Sequence, residues 1–396
     1  FYDAGSIDLH VNLGNFNATF KDIDHQHQKK NVHEIQLKNT SVTLVLPPQP
    51  ESNQTTAEAD SNSKTVSTYD TIHSVSSVFL ALTLLADRLT IENTSFSLDD
   101  NSTQKLPVGI DYAHLHVSDI NADIRNINID SLGYRADFNS LSASESCGLN
   151  IKKLAVKALF TDNYANLENL SLETSASKIT GNMSLGYTSF NGFLSDLWNA
   201  ETDVKLTNTT LNANEIFLIV PFLASDPYLG KFKNSDIHIS TETNGKLNDL
   251  NIENVELSIL RNTILKSGCR LSGLPDINAL VFDADISRLL TNPADIQQFV
   301  DPSVFAGLKL PPSFEIKGTA NGTINSVSGN LGFTSAYGNI VADAFYQNTG
   351  AAGRDTFSID FKAQNLLAGA IMNDTTLGKT SFAGHSACLL YTSRRG

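Results

Sequence analysis

Apolar and polar residues alternate along most of this chain. Ile7, Leu9, Val11 and Leu13 open the pattern, and Leu115 with Val117 repeats it. A period of two puts successive side chains on opposite faces of an extended backbone, so each such run predicts a strand with one apolar and one wet face. The pattern returns over 124–132, at Ile237 and Ile239, at Val255, Leu257 and Ile259, at Phe314 and Ile316, and at Phe357, Ile359 and Phe361. Short turns of Asn, Asp, Gly or Ser separate the runs. Helical spacing is confined to 214–223, 287–300 and 365–373, with Pro293 and Asp295 marking a helix start. With so few helices to cover it, a long one-sided sheet must curl on itself. The predicted fold is mostly β: an elongated, twisted, repetitive antiparallel sheet, curled into a taco-like groove, with a few short helices.

Two kinds of repeat run through the strands. The shorter is LKNTSVTL at 37–44, matched by IENTSFSL at 91–98, with looser copies at 206–211 and 252–257 in which Asn208 and Asn254 hold the asparagine position. Asparagine tolerates positive φ, so each copy predicts a bend or bulge that lets apolar residues on either side of it share a face. The longer repeat begins at Asp203-Val204-Lys205-Leu206 and returns at Asp283-Ala284-Asp285-Ile286 and Asp360-Phe361-Lys362-Ala363. Asn244-Gly245 and Asn321-Gly322 occupy matching places in the first two copies and predict hairpin turns. Recurrence at this spacing favours an open-ended repetitive assembly over separate globular domains. The chain therefore divides into a β segment at 1–50, a flexible loop at 51–71 rich in Ser, Thr, Asn and acids, and a β-rich segment at 72–202. Repeat units follow at 203–282, 283–359 and 360–386, and 387–396 departs from the pattern as a non-native tail.

Composition sharpens this picture. Hydrophobic residues make up 41% and charged ones only 18%, so much of the polar surface is Asn, Ser and Thr, as strands with one wet face require. A net charge of −14 argues against a nucleic-acid partner, which needs clustered Lys and Arg. Cys147, Cys269 and Cys388 are far apart and odd in number, so neither a disulfide framework nor a zinc site is encoded. The longest apolar run, 75–86, is short of the roughly 20 residues a membrane-spanning helix needs. The opening at Phe1, directly in a strand-like pattern and with no signal peptide, reads as a middle fragment.

Catalytic and metal templates fail on the residues they need. His33-Glu34 begins a zincin motif, but Leu37 stands where its second histidine belongs, and the stretch reads as a strand. His25 and His27 sit in a polar turn and read as solvated. There is no nucleophile elbow, phosphate-binding lysine loop or dinucleotide fingerprint. The N-x-S/T sequons arise by chance in an Asn-, Ser- and Thr-rich chain. The sequence predicts no enzyme, no metal site and no cofactor.

At the longer repeat the chain resembles the TamB family of AsmA-like proteins, in its Bacteroidota-type form. The resemblance is carried by Asp203 to Leu206, a short apolar helix ending near Pro221-Phe222-Leu223, the strand Ile237-His238-Ile239, the Asn244-Gly245 pair and the run from Leu250 to Leu257. Asn365-Leu366-Leu367 with Leu377 to Phe382 looks like the start of a further unit. The resemblance implies a periplasmic protein, anchored in the inner membrane through a preceding helix, that bridges toward the outer membrane. Its expected role is carriage of phospholipid, or support of outer-membrane protein assembly with an Omp85-type barrel reached through a C-terminal region. The expected partners are phospholipid acyl chains, held against an apolar lining of Ile237, Ile239, Val255, Leu257, Ile259, Phe314, Ile316, Phe333 and Phe361. The alternative is a structural or adhesive surface β-solenoid with a dry core.

Overall fold

A computed structural model describes residues 8–24, 29–47, 84–130, 132–189, 196–221, 229–233, 235–298, 307–348, 355–374 and 376–390. The expected loop at 51–71 and His25 and His27 lie outside the described residues. Of the described residues, 70% lie in strands, as the alternation predicts. The chain divides into two compact units, Phe1–Leu197 with Asn214–Asp226, and Trp198–Ala213 with Pro227–Gly396.

The first unit is an open, twisted ladder of ten strands. In chain order these are β1 (Asp8–Asn12), β2 (Asn15–Asp24), β3 (Lys29–Lys38), β4 (Ser41–Leu46), β5 (Leu84–Asp100), β6 (His114–Asp130), β7 (Gly133–Glu145), β8 (Asn150–Phe160), β9 (Tyr164–Thr174) and β10 (Lys178–Gly186). From β5 to β10 each strand is antiparallel to the next. One place in the sheet is parallel: β3 and β4, end to end, both run parallel to β5. The shorter repeat thus pairs with itself in register. Leu37 faces Ile91 and Leu44 faces Leu98, and the Asn93 side-chain amide donates to Asn39 Oδ1 at 2.7 Å.

The corner reading holds at most of its positions. Asn39, Asn93 and Asn208 have φ of 51°, 49° and 46°, and Asn169 and Asn365 follow the same rule. A bulge takes a backbone N–H out of the ladder, and a buried or half-buried donor needs a new acceptor. The neighbouring strand supplies it. Asn93 N–H donates to Asn121 Oδ1 and Asn169 N–H to Asn182 Oδ1. Asn208 N–H donates to Ser240 Oγ and Asn365 N–H to Ser381 Oγ. Asn254 is the exception: the register slips between Ile252 and Val255 with no positive φ at Asn254.

The second unit is an antiparallel ladder of β11 (Glu201–Asn212), β12 (Asp236–Lys246), β13 (Asp249–Ile259), β14 (Thr263–Ser272), β15 (Val281–Thr291), β16 (Phe314–Thr323), β17 (Ser326–Ser335), β18 (Gly338–Gln347), β19 (Asp355–Leu367) and β20 (Lys379–Leu390). The longer repeat emerges as one strand, one short helix, then further strands. The helices α1 (Ala213–Ile219), α2 (Pro293–Ile296) and α3 (Ala368–Met372) follow β11, β15 and β19 in the chain, α1 belonging from Asn214 onward to the first unit. Two helices are shorter than their spacing predicts. Residues 287–291 complete β15 and 365–367 complete β19, and the Asn292 side chain caps the helix that begins at Pro293. β20 stays paired with β19 out to Leu390, which faces Asp355, and the rest of the tail lies outside the described residues.

The Asn-Gly pairs are not the hairpin turns. Lys246 faces Asp249 and Thr323 faces Ser326, so the turns are Leu247-Asn248 and Ile324-Asn325, three residues later. Gly245 and Gly322 have φ of 109° and 147°. A Cβ there would lie 2.6 Å from Asp249 O and 2.0 Å from Ser326 O, so the strand ends coil where only glycine fits.

Candidate functional site

The register of the second unit turns local alternation into one apolar surface. Ile239 faces Leu257, which faces Leu265, which faces Leu289. The line continues through Ile316, Phe333, Ile340 and Ala363 to Phe382. Nine strands each contribute one apolar residue to a single row running across the sheet. On the same face, Val255, Ile286, Leu331 and Phe361 belong to the next row, separated by Ser267, Gly318 and Ala342. Ile237, Ile259 and Phe314 lie on the other side of the first row, two positions along their strands. All nine residues expected to line the site therefore share one face of one unit.

A third row carries small side chains over five consecutive strands: Cys269, Ala284, Ala320, Gly329 and Ala344. Beyond it Phe282, Val327, Tyr346 and Phe357 restore bulk. The face is thus a shallow furrow with larger walls. Its β19–β20 end is shaped by Phe361, whose ring meets Phe382 edge-on at 5.7 Å and lies over Gly384, where a Cβ would be 2.9 Å from the ring.

Burial is the informative quantity here. Each of the nine expected lining residues is half-buried. Among the described residues, the buried hydrophobic positions of this unit are all alanines: Ala200, Ala213, Ala342 and Ala363. A sheet face packed under a second layer buries its large side chains. This face leaves them partly open.

The opposite face is polar and laced with ion pairs. Arg270 grips Asp249 through two hydrogen bonds of 2.9 and 2.8 Å, and Arg288 and Lys317 flank Glu315 at 2.9 and 2.7 Å. The Arg270 hydrogen bond holds Asp249 below the ordinary carboxylate range, and the Lys317 hydrogen bond, helped by Arg288, does the same for Glu315. His238 and Glu256 lie on this face. At the end of the sheet the Asp295 carboxylate, 2% exposed, accepts from Asn262 N–H, the Thr263 hydroxyl and the Asn292 amide, which ties α2 to the turn beside it.

Sequence reasoning missed Leu265, Leu289, Ile340 and Phe382. Leu289 was hidden in a run read as helical, and Ile264 and Leu290 beside Leu265 and Leu289 blur the alternation with apolar residues on the polar face. Tracing register through the longer repeat was the available signal.

The residues tried against catalytic templates have structural partners. His33 bonds Asp87 at 2.9 Å, and Glu34 lies 3.6 Å from Arg88. In the first unit a cavity of about 440 Å³ brings Asp111, His114, His116, Glu145 and Cys147 together. Burial, then a hydrogen bond to Glu145, pushes the Cys147 thiol up, the reverse of what an activated nucleophile needs. Among the described residues no three His, Cys, Asp or Glu side chains gather as metal ligands, and no helix is long and apolar enough to cross a membrane. Comparison of the chain with protein-family models, curated proteins and solved structures finds no match in any of the three.

Proposed function

We propose that the second unit is a non-catalytic binding surface for phospholipid acyl chains, part of a TamB-like periplasmic protein that bridges inner and outer membranes. The observation that carries this reading is the row from Ile239 to Phe382, apolar on nine strands and half-buried throughout its expected lining positions. Each methylene taken out of water onto such a face gains about 0.8 kcal/mol. The row is similar from strand to strand, so a chain lying along it meets no deep trap and can slide. The furrow of Ala284, Ala320, Gly329 and Ala344 gives an acyl chain room between bulkier walls.

Photo-crosslinking residues at Ile239, Leu257 and Ile316 test the reading, with His238 and Glu256 as controls on the polar face. Crosslinks to phospholipid at the first three and none at the controls are expected. Equal, empty signals on both faces of folded protein would leave a structural scaffold, the β-solenoid alternative.

A further inference from the structure

The turn joining β13 to β14 ends the apolar face at Ile259 and carries Leu260, Arg261 and Asn262. Leu260 has φ of 60°, a left-handed conformation that costs a branched side chain energy, so the turn is held against its local preference. Ordinary neighbours satisfy much of what surrounds it: Asn262 N–H and the Thr263 hydroxyl both donate to Asp295, the Asn212 amide donates to Asp236, and His238 Nδ1 bonds the Thr210 hydroxyl. The Arg261 guanidinium makes no ion pair among the described residues, and the Ser235 and Ser258 hydroxyls make no side-chain hydrogen bond there. All three line one cleft of about 680 Å³, and Ile259 lines it too.

We infer that this cleft takes a phosphate ester. A guanidinium presents a planar fork of N–H donors that matches two phosphate oxygens, and hydroxyls beside it complete the shell of a tetrahedral anion. Neither carboxylate nearby forms an ion pair with the fork: Asp295 is buried and accepts three hydrogen bonds at Oδ2, and Asp236, which lines the cleft, accepts from Asn212. Ile259 brings the cleft to the end of the apolar face, while His238, Ser258, Ile264 and Leu290 line it from the polar face, so a lipid whose chains lie along the apolar face would reach Arg261 with its head group turned over the strand ends. This source of the phosphate rests on the acyl-chain reading above; the cleft itself does not.

Delipidated protein and its Arg261→Gln and Arg261→Lys variants separate the two, with three probes: phosphatidylglycerol, diacylglycerol of the same chains, and soluble glycerol phosphate. Arg261 lies in an exposed turn, so circular dichroism should be unchanged. Loss of the fork should weaken phosphatidylglycerol retention about tenfold, with lysine intermediate, and leave diacylglycerol unaffected. If neither lipid is held but glycerol phosphate binds in an Arg261-dependent way, the phosphate site stands with a soluble ester as its ligand, and the acyl-chain reading falls. If Arg261→Gln changes binding of neither phosphatidylglycerol nor glycerol phosphate, the inference is overturned.

Discussion

The two units use the same device and pack differently around it. In the first, Phe16, Leu37, Ile91, Ala122, Leu141, Leu154, Leu172 and Ile179 form a row across eight strands, the counterpart of the row from Ile239 to Phe382. Around that first row Val32, Ile124, Ile127, Val156 and Leu170 are all below 9% exposed, and Val32, Ala86, Ala122, Ile124 and Ile127 pack as one cluster. The second unit has no buried hydrophobic residue larger than alanine among its described residues. Alternation and register decide which face of a sheet is apolar. Whether that face becomes a core or a binding surface depends on what packs over it.

Substitutions at matched rows should split along this line. The largest effect expected is from charge: Ile124→Asp should unfold the first unit, because an unpaired buried carboxylate costs several kcal/mol. Leu257→Asp should leave the second unit folded by circular dichroism while abolishing lipid crosslinking. If both variants unfold equally, the contrast between the units is lost. Truncation should follow the same order at smaller scale. Ile124→Ala should cost about 2–4 kcal/mol in urea unfolding, and Leu289→Ala about 1 kcal/mol, because a half-buried side chain loses fewer contacts and leaves no closed cavity.

A finer contrast concerns the corners. Asn93→Ala places a β-carbon at positive φ and removes the bond to Asn39, at an expected cost of about 1–2 kcal/mol. Asn93→Gly should recover part of that, since glycine accepts the backbone but not the side-chain bond. Asn254→Ala, at a bulge without positive φ, should change stability by less than about 0.5 kcal/mol. Equal losses at Asn93 and Asn254 would show that the bulge, not the left-handed backbone, sets the cost.

The smallest effect is in pH. Hydrogen bonds from His33 to Asp87 and from Arg88 to Asp123 in the first unit, and from Arg270 to Asp249 and Lys317 to Glu315 in the second, lower these carboxyl groups from ordinary values of 3.8 for Asp and 4.5 for Glu. A depressed folded value means stability that is present above the ordinary value and lost as pH falls through the folded one. Both units should therefore weaken below about pH 4 and not between pH 5 and 7. Because the pairs are solvent-exposed, added salt should shrink the acid-side slope in thermal melts.

Much of this was legible in the chain. Period two gave the strands and put all nine expected lining positions on one face. The Asn39, Asn93 and Asn208 corners were legible because few L-residues other than asparagine visit positive φ readily. Asn254 shows the limit of that reading, since a bulge can form without the left-handed residue that the sequence resemblance suggests. The Asn-Gly pairs misled for a related reason: glycine was required by a close backbone approach two residues before the turn rather than by the turn itself. The helix expected over 287–300 was overridden because 288–291 pairs with β14 and β16, with Ser287 left at a bulge.

What the sequence determined by itself is what one strand or one turn can decide: extended backbone, a wet and an apolar side, and the corners where parity shifts. These follow from side-chain period and backbone sterics within a few residues. Only the tertiary structure decided that β3 and β4 run parallel to β5, that nine apolar residues fall into one row, and that a buried cluster forms beside the first unit's row while the second unit buries no hydrophobic side chain larger than alanine among its described residues. Lateral register and coverage depend on residues distant in the chain, and the hydrophobic effect that rewards burial is proportional to area and indifferent to which segment supplies the cover.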